Sequence, residues 1–221
     1  NAGILQISPA STNPTLTDRK GFPNVFRVCG RDDQQGVIAG GTLAKEFKGK
    51  KIAFLHDKTA YGKGLMEATL ANYKKAGGKP AMIEAYTAGE KDYTSLVSKM
   101  KAAGVEVIYL GGYHTEGALM IRQAHEMGYK PQLVSGDALV TDEFWKIAGN
   151  AGEGTLMTFS PDPRKNAAAA PVVAKFKAQK YDPEGYTLYT YGAIQAWAQA
   201  VTAAKSTGLK GVVGALRKGK F

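Results

Sequence analysis

Hydroxyls, phenols and carboxylates recur in this chain beside glycines that let a backbone approach a ligand. The first group is the densest. In ISPASTNPTL (Ile7–Leu16) the small hydroxyls Ser8, Ser11 and Thr12 fall together, stiffened by Pro9 and Pro14, with no acid, base or metal ligand among them. An apolar run from Gly3 to Ile7 leads in and reads as a buried strand. Further on, HDKTAYGKG brings His56, Asp57 and Tyr61; GGYHTEG brings Tyr113 and His114; SGDALVTD brings Ser135 and Asp137. Small hydroxyls and loop amides satisfy a carboxylate, whereas an aspartate and aromatic faces satisfy an ammonium. Each charge-assisted hydrogen bond contributes about 1.5–3 kcal/mol net, so several hold a small zwitterion without covalent chemistry. Tyr61 and Tyr113 are equally open to a plainer reading, in which each ring covers a helix end.

Catalytic patterns are missing from the same stretches. Ser135 lies in LVSGD without the leading glycine of a nucleophile elbow. His56, His114 and His125 are scattered, with no H-E-x-x-H pair, so no metal is expected. His125 falls mid-helix in RQAHEMG and reads as a surface or internally satisfied residue. YGKGLMEAT lacks P-loop spacing, and no dinucleotide fingerprint follows a strand. The expectation is a binding protein, not an enzyme, with no cofactor.

The elements that must position these groups alternate between strand and helix. Strands are expected to begin near Lys51, Pro80, Val105, Gln132 and Thr155. Between them, Leu65, Thr69 and Tyr73 share one helical face, as do Leu96, Met100 and Ala103, and Met120, Ala124 and Met127. Alternation with helix-length crossovers predicts a parallel sheet covered on both faces. Ligands of such sheets bind beyond the carboxyl ends of the strands, which is where the hydroxyls, phenols and aspartates fall. Gly77, Gly104, Gly128 and Gly149 stand where helices should be capped. Residues 1–30 hold two short strands, and residues 159–221 are mainly helical, with Ile194, Trp197 and Val201 on one face. Polar GRDDQQG and proline-containing SPDP mark crossings between two lobes. The expected division is 1–30 with 159–221 in one lobe and 31–158 in the other.

Composition narrows the class further. The 221 residues are 44% hydrophobic and 22% charged, an ordinary balance for a globular protein. No run of about 18 apolar residues is present to cross a membrane as a helix. The net charge of +10 is carried on dispersed lysines in KEFKGKK, YKKAGGK and KFKAQK, so solvated helix faces are favoured over a nucleic-acid interface. Cys29, at the end of NVFRVC, is expected to be a buried structural thiol. The chain starts at Asn1, almost inside a strand, and is read as an internal piece of a longer protein.

Taken together, ISPASTNPTLT, GRDDQQG, IAFLHDKTAYGKGL, AGEKDYTSLVSKMKAAGVEVIYLGGYHTEG, RQAHEMGYKPQLVSGDALVTDEFWKIAG and YTLYTYGAIQAW resemble the leucine/isoleucine/valine-binding proteins. These are the periplasmic solute receptors of branched-chain amino-acid ABC transporters. The resemblance runs over essentially the whole chain. It implies an α/β, type I periplasmic binding protein with two Rossmann-like lobes, the first incomplete, lacking a front quarter and a short C-terminal part. It implies that the backbone at Ala10 and the hydroxyl and amide of Thr12 hold the ligand's α-carboxylate or α-ammonium, that Tyr61 and Tyr113 close over it, and that Asp137 takes the ammonium. Well-known members have glutamate where this chain has Asp137, so the shorter acid implies room for a broader ligand range. The implied partners are an amino acid and an inner-membrane permease, for a periplasmic protein that is monomeric when intact. The same lobes also occur in amide- or amino-acid-responsive regulators and receptors, which the flanking sequence would distinguish.

Overall fold

The structure, a computed structural model, describes residues 2–219. Its chain divides into two compact units, Asn1–Gly30 with Pro161–Phe221, and Arg31–Ser160.

The second unit is built on a five-stranded, wholly parallel sheet. Its strands are β3 (Ile52–His56), β4 (Met82–Ala85), β5 (Val107–Gly111), β6 (Gln132–Ser135) and β7 (Leu156–Met157), in the order β4-β3-β5-β6-β7. Ile52 pairs with Val107 and Val107 with Gln132, so the carboxyl ends of β3, β5 and β6 come level. The helices between are α2 (Asp32–Glu46), α3 (Ala60–Lys75), α4 (Thr94–Ala102), α5 (His114–Glu126) and α6 (Asp142–Ala148).

Alternation along β3 and β5 sorts the helices. Ile52, Phe54, Val107 and Tyr109 face a core with Ala39 and Leu43 of α2 and Leu65, Met66, Leu70 and Tyr73 of α3. Ala53, Leu55, Ile108 and Leu110 face the opposite core with Val97 and Met100 of α4, Ile121 and Ala124 of α5, and Phe144 of α6. Because both faces are covered, β5 is buried at every position. The α3 face of Leu65, Thr69 and Tyr73 is buried as its spacing predicts. On α4 the inward line is turned by one residue: Val97 joins Met100 in the core, and Leu96 and Ala103 only flank it. Helices α3, α4 and α5 end in the same way. Gly77, Gly104 and Gly128 take left-handed φ of 87°, 69° and 66°, and the next N–H returns to a carbonyl five residues back, Tyr73, Met100 and Ala124 respectively.

The first unit holds β1 (Gln6–Ser8) paired in parallel with β2 (Val25–Arg27), a one-turn α1 (Thr15–Asp18), and α7 (Ala170–Ala178), α8 (Thr187–Ala204) and α9 (Leu209–Lys218). Three sequence expectations change here. β1 is not a buried strand: Gln6 is exposed and Ile7 half-buried, with only Ser8 inside. The covered line of α8 runs through Leu188, Ala193, Ala196 and Ala200, while Ile194 is 62% and Trp197 43% exposed. Small alanines let α8 approach α9 and β1 closely, so spacing alone selected the bulkier but wrong face. Cys29 is only half-buried.

Candidate functional site

In the first unit the hydroxyl loop is folded by its own side chains. Ser8 Oγ accepts from the N–H of Ser11 at 2.9 Å and, more weakly, from that of Ala10 at 3.4 Å. From β2, the Arg27 guanidinium donates to the carbonyls of Ser11, Asn13 and Pro14 at 3.0, 2.9 and 3.0 Å and to Thr17 Oγ1 at 2.6 Å. This clamp pins a segment that two prolines alone would only stiffen. Ala10 lies exposed in the loop. Thr12 is 2% exposed, and its hydroxyl finds no hydrogen-bond partner among the described residues. A buried hydroxyl without a partner costs about 1–3 kcal/mol, which a ligand oxygen or nitrogen would recover.

In the second unit, chain order reverses between β3 and β5: β4 lies outside β3, and the chain then returns to add β5 on the other side. Ligand sites of open parallel sheets form at the carboxyl side of this switch. Asp57, directly after β3, holds the start of α3. Its Oδ1 accepts from Thr59 N–H at 2.9 Å and Thr59 Oγ1 at 2.7 Å, and Thr59 Oγ1 in turn caps the N–H of Gly62 at 2.9 Å. This places Tyr61 in the first turn of α3 rather than in a free loop. There α3 lies so close to β5 that a Cβ on Gly111 would fall 2.1 Å from the carbonyl oxygen of Gly62. Only glycine fits that approach. Tyr113, one residue before α5, then meets Tyr61 with ring centroids 5.1 Å apart.

Asp137 opens a short turn just after β6 and is 5% exposed. Its Oδ1 accepts from the Tyr61 hydroxyl at 3.0 Å and from the Gln35 amide at 2.5 Å. The Tyr61 oxygen also accepts from the N–H of Ala138 at 3.3 Å. Burial first, then the charge of Asp137, hold the Tyr61 phenol well above the usual tyrosine range, so it remains a donor throughout neutral pH. Tyr113, 44% exposed, is raised by partial burial and by Asp57 and Asp137. A half-exposed aromatic face, a buried carboxylate and two phenols make an environment that attracts an ammonium and excludes an anion.

Tyr61, Tyr113 and Asp137 therefore converge within one unit, while Ala10 and Thr12 share the loop of the other. Two residues escaped the sequence reading. Gln35 was visible only as part of the polar crossing GRDDQQG, and Arg27 only as part of NVFRVC. Neither spacing nor composition marks a side chain that acts across 102 residues, as Gln35 does on Asp137. Of the histidines, His56 Nδ1 accepts from Lys58 N–H at 3.0 Å and His114 pairs with Glu143 at 2.9 Å. Among the described residues no group of three or more His, Cys, Asp or Glu side chains converges as a metal site.

Comparison with known proteins identifies the family and the fold. A sequence model of the family described as periplasmic binding protein matches residues 1–221. A Leu/Ile/Val-binding protein homolog of Brucella suis is 49% identical over 220 residues, covering 99% of this chain and 59% of that protein. The chain thus spans about three fifths of the length of that curated relative. A crystal structure of a leucine-binding protein of Thermotoga maritima, 27% identical, superposes with a TM-score of 0.87 over 98% of this chain and 62% of that one. An ABC transporter substrate-binding protein of Desulfitobacterium hafniense in complex with Leu, 26% identical, gives 0.73 over 97% and 62%. With its two α/β units, its parallel sheets and a family match along its whole length, the chain belongs to the periplasmic binding protein family, has the type I fold and groups with the Leu/Ile/Val-binding proteins.

Proposed function

We propose that the complete protein is the solute receptor of an ABC importer, which captures a branched-chain or other hydrophobic amino acid in the periplasm and delivers it to an inner-membrane permease. One observation carries the reading: a buried aspartate flanked by a phenol and a half-exposed tyrosine, at the switch point of a parallel sheet. That set suits an ammonium. The leucine complex of the Desulfitobacterium relative supports an amino acid as ligand, and its name supports the transporter. In this reading Ala10 and Thr12 take one end of the amino acid while Tyr61, Tyr113 and Asp137 take the other. The ligand then makes its full set of contacts in only one arrangement of the units, and binding shifts the equilibrium toward that arrangement.

Calorimetry on the complete protein tests this. Leucine, isoleucine or valine should bind, and Asp137→Ala should weaken binding about ten- to a hundredfold, because the ammonium loses its charged partner. Undiminished affinity in that variant would show that the ammonium is held elsewhere.

A further inference from the structure

The chain passes between the two units twice, after Gly30 and after Ser160. Gln35 stands one helical turn beyond the first passage, its N–H bonded to the Arg31 carbonyl at 3.1 Å. Its side-chain amide donates to Asp32 Oδ1 at 3.2 Å and to Asp137 Oδ1 at 2.5 Å. Its side-chain oxygen accepts from Thr158 Oγ1 at 2.6 Å and from the backbone N–H of Asp137 at 3.3 Å. Thr158 is two residues before the second passage, and its own N–H is bonded to the Ser135 carbonyl at the end of β6.

We propose that Gln35 is a positioning residue that ties the Asp137 carboxylate to both chain passages, so that ammonium binding at Asp137 is transmitted to the segments joining the units. The inference rests on the solute-receptor reading above and deepens it. A glutamine side chain has two N–H donors and an oxygen with two lone pairs, and here all four are used. It cannot follow a movement of Asp137 without disturbing its bonds to Asp32, next to the first passage, and to Thr158, next to the second. A neutral amide suits the place. Asp32 and Asp137 are both buried, and a third carboxylate between them would repel both. A ligand shifts a conformational equilibrium only through contacts that differ between the two states, and this amide is where such a difference at Asp137 reaches the connecting chain.

A double-mutant cycle on the complete protein, read by calorimetry with L-leucine, tests the coupling. Gln35→Met keeps the volume and removes the four side-chain bonds; it should weaken leucine about tenfold. Thr158→Val leaves Gln35 on Asp137 and removes only the link to the second passage, and should weaken leucine about two- to tenfold. In an Asp137→Ala background both substitutions should have almost no further effect, since the group they act through is gone. Factors that simply multiply with that of Asp137→Ala, or a Thr158→Val variant with unchanged affinity, would overturn the inference while leaving the receptor reading intact. A wild-type protein that binds no branched-chain amino acid would overturn both. Thermal unfolding of each variant accompanies the titrations; if Gln35→Met does not fold, the Thr158→Val cycle decides alone.

Discussion

Asp137 and Tyr61 are each other's environment. Burial first and the carboxylate second keep the phenol protonated, and the phenol in turn donates a hydrogen bond that helps to satisfy the buried carboxylate. A tyrosine whose pKa is raised on folding leaves stability intact below its ordinary value of about 10 and removes it as pH rises beyond that. Urea midpoints between about pH 10 and 11.5 should therefore fall more steeply for the wild type than for Tyr61→Phe; equal slopes would contradict the assignment. At neutral pH the same substitution removes a donor to Asp137 and an acceptor of the Ala138 N–H, and should cost about 1–2 kcal/mol of stability. The length of the acid is a separate matter. One methylene is worth about 1–3 kcal/mol of discrimination in a closed site. Wild type should accept leucine, valine, alanine, proline and γ-aminobutyrate over a broad range, and Asp137→Glu should narrow it. Strict selectivity for one of these in the wild type would count against the reading.

Among the elements, the pairing of α2 with α3 matters most to the site, because it brings Gln35 and Tyr61 onto Asp137. Two adjacent glycines of α2 show how tight that pairing is. A Cβ on Gly40 would lie 2.7 Å from both the Thr69 carbonyl oxygen and Asn72 Cβ, whereas one on Gly41 would meet nothing within 4 Å. Helix propensity favours alanine over glycine by about 1 kcal/mol at either position. Packing should reverse the sign at one of them. Gly40→Ala is expected to destabilise by about 1–3 kcal/mol and Gly41→Ala to stabilise by up to about 1 kcal/mol, read from chemical unfolding. The cap of α3 is similarly local: Thr59 both receives Gly62 and donates to Asp57, so the first turn that carries Tyr61 is set by three residues within the six positions after β3.

At the scale of the molecule the two units differ in how much core each holds within this chain. Both large clusters of buried side chains, one on each face of the five-stranded sheet, draw only on residues between Arg31 and Ser160. Among its described residues the first unit has two three-residue strands, and it leaves Tyr191, Ile194 and Trp197 of α8 exposed. Residues 31–160 expressed alone should therefore fold, with a single cooperative urea transition and a helical circular-dichroism spectrum. A gradual, non-cooperative loss of signal would show that the sheet depends on the flanking unit.

What the sequence determined by itself was whatever is written locally. The alternation of short apolar stretches with helical faces announced β3 to β7 and α3 to α5, the glycines announced the caps of α3 to α5, and the motifs from IAFLHD to SGDAL put forward Tyr61, Tyr113 and Asp137. Tertiary structure decided the rest. It turned α8 onto its alanines instead of Ile194 and Trp197, left β1 largely uncovered, and made Arg27 the residue that holds the hydroxyl loop and Gln35 the one that holds Asp137. The physical reason is range. Spacing along a chain records which side chains share a face, but which face is buried, and which distant donor reaches a given carboxylate, depends on surfaces that come together only when the chain folds.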